Sequence, residues 1–276
     1  MRWYFPGRMA DSPPNEADEA AIAAALPEAI ARNDDWLLAA LASAPQTNEI
    51  ARSGMLLSGF LTIASETGLP LALHEIGSSA ALNLLFDRFH YRYGDAEWGD
   101  PASPVRLAPD MRGKPVPLES TLKIVSRNGS DIAPVDIGIV ADRLRLRSYI
   151  WADQTSRLER IDAAISVAET TPFSLEKADA ADFVKDRLVS RPSGETFVLF
   201  HSIMWQYMPD ATKAAIVAEL AAAGRAATPN APIAWLRMEP VATTDKYATL
   251  SLTLWPGGET RHLAACDYHG RWIEWL

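Results

Sequence analysis

Residues Leu69 to Phe86 read Leu-Pro-Leu-Ala-Leu-His-Glu-Ile-Gly-Ser-Ser-Ala-Ala-Leu-Asn-Leu-Leu-Phe, and this stretch constrains the fold more tightly than any other. The short run Leu71 to Ile76 predicts a buried strand of a parallel sheet, since a strand covered on both faces has little need of polar alternation. Gly77 opens backbone angles closed to other residues, and Ser78, Ser79 and Ala80 are small enough to let the backbone approach a ligand. Ala81, Leu82, Leu84 and Leu85 carry helical spacing. They predict a helix whose free N–H groups and partial positive charge face a carboxylate or phosphate, with Glu75 at the strand end placed to hold an amine or hydroxyl. A purely structural strand-to-helix turn is the alternative reading.

The rest of the chain repeats this rhythm. Residues 1–16, with their prolines, read as an irregular lead-in. Helical patterning runs from Glu16 to Gly68, with a restart at Pro27, another after Asp34 and Asp35, and a longer helix from about Asn48 to Thr67. Residues 91–119, rich in Pro, Gly, Asp and aromatic side chains, predict an insertion of hairpins or loops. Strands are then expected at Leu122–Val125, Phe173–Lys177, Thr196–Phe200 and Ile233–Met238, and helices at Trp151–Ala168 and Asp210–Ala227. Thr249–Trp255 and Thr260–Cys266 flank Pro256-Gly257-Gly258 as an antiparallel hairpin, with one more short strand near Trp272–Leu276. The expected organisation is an N-terminal helical region over 1–68 and an α/β domain over 69–276. Its sheet is doubly wound and mostly parallel, with an antiparallel edge.

Composition excludes several function classes. Twenty-six basic against thirty-five acidic residues give a net charge of −9, which opposes binding to a phosphate backbone or an anionic membrane. No run approaches the roughly 18 apolar residues of a membrane helix, and the opening Met-Arg-Trp-Tyr-Phe-Pro-Gly lacks the apolar core of a secretory signal. A cytoplasmic protein acting on a small molecule is expected. The single Cys266 excludes an internal disulfide and reads as a small buried residue. The histidines show no metal-ligand spacing. Arg143, Arg145 and Arg147 read as a solvated face.

Three predicted strand ends carry an acid: Glu75, Asp131 and Asp179. Ionised carboxylates accept hydrogen bonds and donate none, so they suit a ligand with amines, hydroxyls and positive charge, of which S-adenosylmethionine is one. The order of the acids resembles the class I methyltransferase fold. Glu75-Ile76-Gly77-Ser78-Ser79-Ala80-Ala81 resembles its first motif, with Ser79 and Ala81 standing where the second and third glycines fall. Gly129-Ser130-Asp131-Ile132-Ala133-Pro134 resembles the second, and Ala178-Asp179-Ala180 the third. The resemblance implies a Rossmann-like sheet binding S-adenosylmethionine through Glu75, Gly77, Ser78, Ser79 and Ser202, with Asp131 at the ribose and Asp179 and Ala180 at the adenine. Asp131 as a turn residue and Asp179 as a helix cap are the structural alternatives.

From about residue 40 to its end the chain also resembles an uncharacterised bacterial family with a methyltransferase-like fold. Gln46-Thr47-Asn48-Glu49-Ile50-Ala51-Arg52, the segment from Glu75 to Leu84, Gly129 to Pro134, His201-Ser202 and His269-Gly270-Arg271-Trp272-Ile273-Glu274-Trp275 carry that likeness. The expected activity is methyl transfer to a small acceptor. Positioning alone supplies much of such catalysis, and His201 serves as a base where the acceptor must lose a proton. Glu49 and Arg52, three apart on one helix, either form a surface pair or reach the ligand mouth. Tyr91, Trp205 and Tyr207 are expected at the acceptor pocket. A degenerate member that binds without turnover is the second reading. A nicotinamide-dependent oxidoreductase is disfavoured, because Gly77, Ser79 and Leu82 occupy the positions of Gly-x-Gly-x-x-Gly.

Overall fold

The computed structural model describes residues 16–41, 46, 48–151, 153–242 and 244–276; most of the predicted lead-in lies outside them. Helices α1 (Glu16–Arg32), α2 (Asp34–Leu41) and α3 (Ser53–Thr67) precede β1 (Leu71–Ile76), and the insertion forms β2 (His90–Tyr93), β3 (Ala96–Gly99), β4 (Arg106–Leu107) and β5 (Asp110–Gly113). Strands and helices then alternate through β6 (Ile124–Asp131), α4 (Val140–Ser148), α5 (Thr155–Ala168), β7 (Ser174–Lys177), α6 (Ala180–Val189), β8 (Thr196–Ser202), α7 (Asp210–Arg225) and β9 (Ile233–Glu239). The chain closes with β10 (Ala248–Trp255), β11 (Glu259–Cys266) and β12 (Trp272–Trp275).

One nine-stranded sheet runs β7-β6-β1-β8-β9-β10-β11-β12-β5, and β3-β2-β4 form a small second sheet. From β7 to β9 all pairings are parallel; β10, β11 and β12 continue antiparallel. β1 is buried at every position. The chain winds from β1 outward to β7, then crosses to β8 on the other side of β1. That reversal puts the topological switch point at the carboxyl ends of β1 and β8, where open α/β sheets take ligands.

The sheet separates two apolar layers. Leu71, Leu73, Val198, Phe200, Leu236 and Met238 pack under α3, α5 and Leu82–Phe86, whereas Ile76, Phe197, Leu199 and Trp235 pack under α6 and α7. Alternation along the strands therefore puts Glu75 on the first face and His201 and Glu239 on the second. No helix among the described residues is long and apolar enough to cross a membrane.

Several sequence expectations need correction. α1 runs through Pro27 instead of restarting there, forgoing the bond that proline cannot donate. The strand expected at Leu122–Val125 continues to Asp131, because the polar run Ser126–Ser130 pairs with the whole of β1. Helix α4, with few apolar residues and one fully buried side chain, was not anticipated. Arg143, Arg145 and Arg147 bind Glu169, Asp142 and Asp162 respectively, in keeping with a solvated face.

Candidate ligand cleft at the carboxyl edge of the sheet

The turn after β1 is held in an uncommon backbone path. Gly77 has φ +64°, and a side chain there would run into Met204 from the turn after β8. Ser79 (φ +52°) and Ala81 (φ +59°) also lie in the left-handed region, which favours glycine. Such strain persists only where surrounding bonds hold it. Asp131 supplies two of them, its Oδ2 accepting the Ser79 N–H and its Oδ1 the Ala133 N–H, both at 2.8 Å. Ser78 donates both its N–H and its hydroxyl to the Ser130 carbonyl at 3.0 Å. Gln46 accepts from the Ser79 hydroxyl and donates to the Ala133 carbonyl, each at 3.1 Å.

The helix expected after this turn is instead a 3-10 segment, Leu82–Arg88. Side chains take the carbonyls an α-helix would use: Arg127 Nε bonds the Leu84 carbonyl at 3.2 Å and the Tyr91 hydroxyl bonds the Phe86 carbonyl at 2.6 Å. The α-helical N-terminus expected to receive an anion is therefore absent. Tyr91 is corrected at the same time, since it is fully buried and its hydroxyl is spent on the backbone, so it forms core and not pocket wall.

Glu75 stands at the end of β1, buried, and among the described residues its Oε2 has no hydrogen-bond partner. Burial first, and the charge of Asp131 second, push its carboxyl well above the ordinary range, with Arg52 pulling the other way. The Oδ1 of buried Asn48 is likewise without a partner among the described residues, while its Nδ2 donates to the Ser78 carbonyl at 3.3 Å. Two orphaned acceptors thus flank one turn.

Glu49 and Arg52 are buried at this edge, not paired on the surface. Glu49 caps its own turn through the Ala51 N–H at 3.1 Å and meets Arg157 at 2.7 Å and Arg160 at 3.2 Å, both from α5. Arg52 reaches two carbonyls, Tyr268 through Nε at 3.0 Å and Ser202 through Nη1 at 3.3 Å. Burial lowers its pKa, against the charges of Glu49 and Glu239. The loop carrying Tyr268 is closed by Asp267, which accepts from the His269 and Arg271 N–H groups. Gly270 (φ +75°) passes so near the Ala51 carbonyl that a Cβ would lie 2.3 Å from it. The motifs around Glu49 and His269, remote in sequence, are therefore in contact.

His201 and Ser202 end β8. His201 is fully buried, with Nδ1 2.7 Å from Glu239 Oε1 and Nε2 accepting the Trp235 indole N–H at 3.1 Å. That donor fixes the proton on Nδ1 and leaves no nitrogen for an acceptor's proton. Glu239 Oε1 also accepts the N–H groups of Met204 at 3.0 Å and Trp205 at 3.2 Å. Half-buried Trp205 stacks on His201 with ring centres 5.0 Å apart, and Tyr207 is exposed. Ser202 is buried and offers its carbonyl to Arg52.

Asp179 and Ala180 lie apart from this bonded network. Asp179 is exposed and caps α6 by accepting the Ala181 N–H at 2.8 Å; Ala180 opens that helix. Sequence reasoning missed Glu239, Asn48, Arg157 and Arg160. The signal for Glu239 was present, as an acid closing a fourth apolar strand, while the arginines came to Glu49 only through the packing of α5.

Fold and geometry define an α/β protein with a doubly wound sheet and a cluster of buried polar side chains at its switch point. Over residues 4–275 the chain matches the family described as an uncharacterized protein conserved in bacteria (DUF2332), and it belongs to that family. No curated protein matches it in sequence.

Proposed function

We propose that the carboxyl edge of the sheet at the switch point binds S-adenosylmethionine and that the protein transfers its methyl group to a small acceptor. The observation that carries this reading is a pair of buried acceptors at the switch point of the sheet, Glu75 Oε2 and Asn48 Oδ1, that have no donor among the described residues. An ammonium group entering there would give Glu75 a charge partner and bring it back to the ionised form. The strand order β7-β6-β1-β8-β9 is the third-second-first-fourth-fifth order of nucleotide-binding sheets, with the next strand reversed. The left-handed angles at Ser79 and Ala81 also support the reading, because the turn retains the path of the motif's glycines without the glycines themselves.

In this reading Glu75, Gly77 and Asn48 receive the amino-acid end, and Trp205 walls the acceptor side. The ribose and adenine roles of Asp131 and Asp179 require ligand contact alongside the backbone bonds each already accepts. Catalysis would rest on alignment, as His201 has no free nitrogen. The same observation favours a second reading, binding without turnover.

Binding is the test. S-adenosylmethionine or its demethylated product should raise the melting temperature, adding about 2.7 kcal/mol at a hundred times the dissociation constant. The proposal fails if millimolar ligand produces neither a shift nor calorimetric heat. Binding with no methyl transfer across acceptor panels would leave the second reading.

A further inference from the structure

At the opposite end of β1, on the face covered by α6, lies a cleft of about 170 Å³ that the proposed reaction does not use. Ala72, His74, Ser126 and Asn128 form its floor, Arg187, Arg191 and Glu195 its charged wall. Three nitrogens at this cleft are buried without partners among the described residues: Arg187 Nε, Arg191 Nε and His74 Nδ1. Arg187 spends Nη2 on Glu176 at 2.9 Å, and Arg191 spends Nη1 on the Leu188 carbonyl at 2.7 Å. His74 stacks on Phe197 with ring centres 4.3 Å apart.

We propose that this cleft binds a hydrogen-phosphate group between Arg187 and Arg191. Arg187 in the last turn of α6 and Arg191 just past its end suit the negative helix end, which accounts for their place in sequence. It does not account for guanidinium Nε atoms withdrawn from water with no acceptor, an arrangement that costs stability until one arrives. An oxyanion supplies several acceptors at once, and guanidinium groups match its geometry. Glu195 sets the choice among oxyanions: it repels a fully ionised one, whereas hydrogen phosphate carries a P–OH that donates to a carboxylate.

Burial and the charge of Arg187 hold His74 down at about 3, so its ring is neutral at ordinary pH and reports an arriving anion. The experiment follows the His74 ring resonances of histidine-labelled protein at pH 7.5 and constant ionic strength. Inorganic phosphate should give a saturable shift, at least tenfold tighter than sulfate, and Arg191→Gln should weaken it at least tenfold. A phosphomonoester tried at pH 6, where it too keeps a P–OH, distinguishes an open cleft that admits an ester from a closed one that takes only the free ion. The proposal is overturned if phosphate gives no saturable shift, if sulfate matches it, or if Arg191→Gln responds like the unaltered chain. Because the cleft lies at the opposite end of β1 and shares no residue with the proposed S-adenosylmethionine site, this result is independent of any binding of S-adenosylmethionine.

Discussion

Two carboxylates close neighbouring parts of the same sheet edge, and each has a buried Oε2 without a partner among the described residues. Their other surroundings differ: Glu239, at the end of β9, gathers His201, Met204 and Trp205 on Oε1, while Glu75, at the end of β1, has no comparable set of donors. They point to opposite faces of the sheet. The first fixes the turn after β8; the second stands at the strand where the sheet reverses its winding. Neither burial nor one orphaned oxygen alone therefore marks a functional acid. What distinguishes the two is how many donors the fold brings to the carboxylate.

Breaking the acid that holds three donors should give the largest effect. Glu239→Ala leaves a buried imidazole N–H and two backbone N–H groups without an acceptor, and a loss of about 3–5 kcal/mol is expected in chemical denaturation. Glu239→Gln keeps an acceptor and should lose much less. If the alanine variant melts like the parent, Glu239 is no hub and the contrast with Glu75 collapses.

Asp131 stands between the two, because a ligand is proposed for it while both oxygens already hold backbone. Asp131→Ala frees the Ser79 and Ala133 N–H groups, and the expected cost is about 2 kcal/mol. With the bracket gone, the left-handed turn should loosen, visible as faster amide exchange at Ser78–Ala81. Unchanged exchange would mean that Ser78 and Gln46 suffice to hold it. Asp179→Ala removes a helix cap and should cost about 1 kcal/mol. A fall in S-adenosylmethionine affinity beyond the stability loss would bring Asp179 into the pocket; equal affinity would leave it a cap.

These contrasts show where the sequence was legible. The alternation of apolar strands and helices placed β1 at its observed bounds, because a buried parallel strand is a local pattern that sheet neighbours only reinforce. The polar β6 was half missed, since its pairing with β1, and not its own composition, makes it a strand. The same limit governed the site. Glu75 was readable from its position before Gly77, but whether an acid is satisfied depends on donors from distant segments. Asp131 finds its donor at Ser79, 52 residues away, and Glu239 finds its own at His201, 38 away. The helix after Gly77 was misread because its helical spacing was real, while Arg127 and Tyr91 took its carbonyls from outside.

The smallest change should fall on the unsatisfied acid, and its sign depends on pH. A carboxyl raised in the folded state is protonated in both states below the ordinary value of 4.5, where it carries no penalty. As pH rises, the unfolded chain releases the proton while the folded chain retains it, so stability drains away through the interval up to the raised folded value. Glu75→Gln has no proton to hold. It should lie within about 1 kcal/mol of the parent near the ordinary carboxyl value and gain on it as pH rises above that value. Parallel stability curves would mean that Glu75 is ionised in the folded chain, with a donor close by, and the open valence at the switch point would be gone. Saturating S-adenosylmethionine sharpens the same measurement: it should flatten the parent's decline with pH and leave the Glu75→Gln curve where it was, because only the parent has a carboxylate for the ammonium to stabilise.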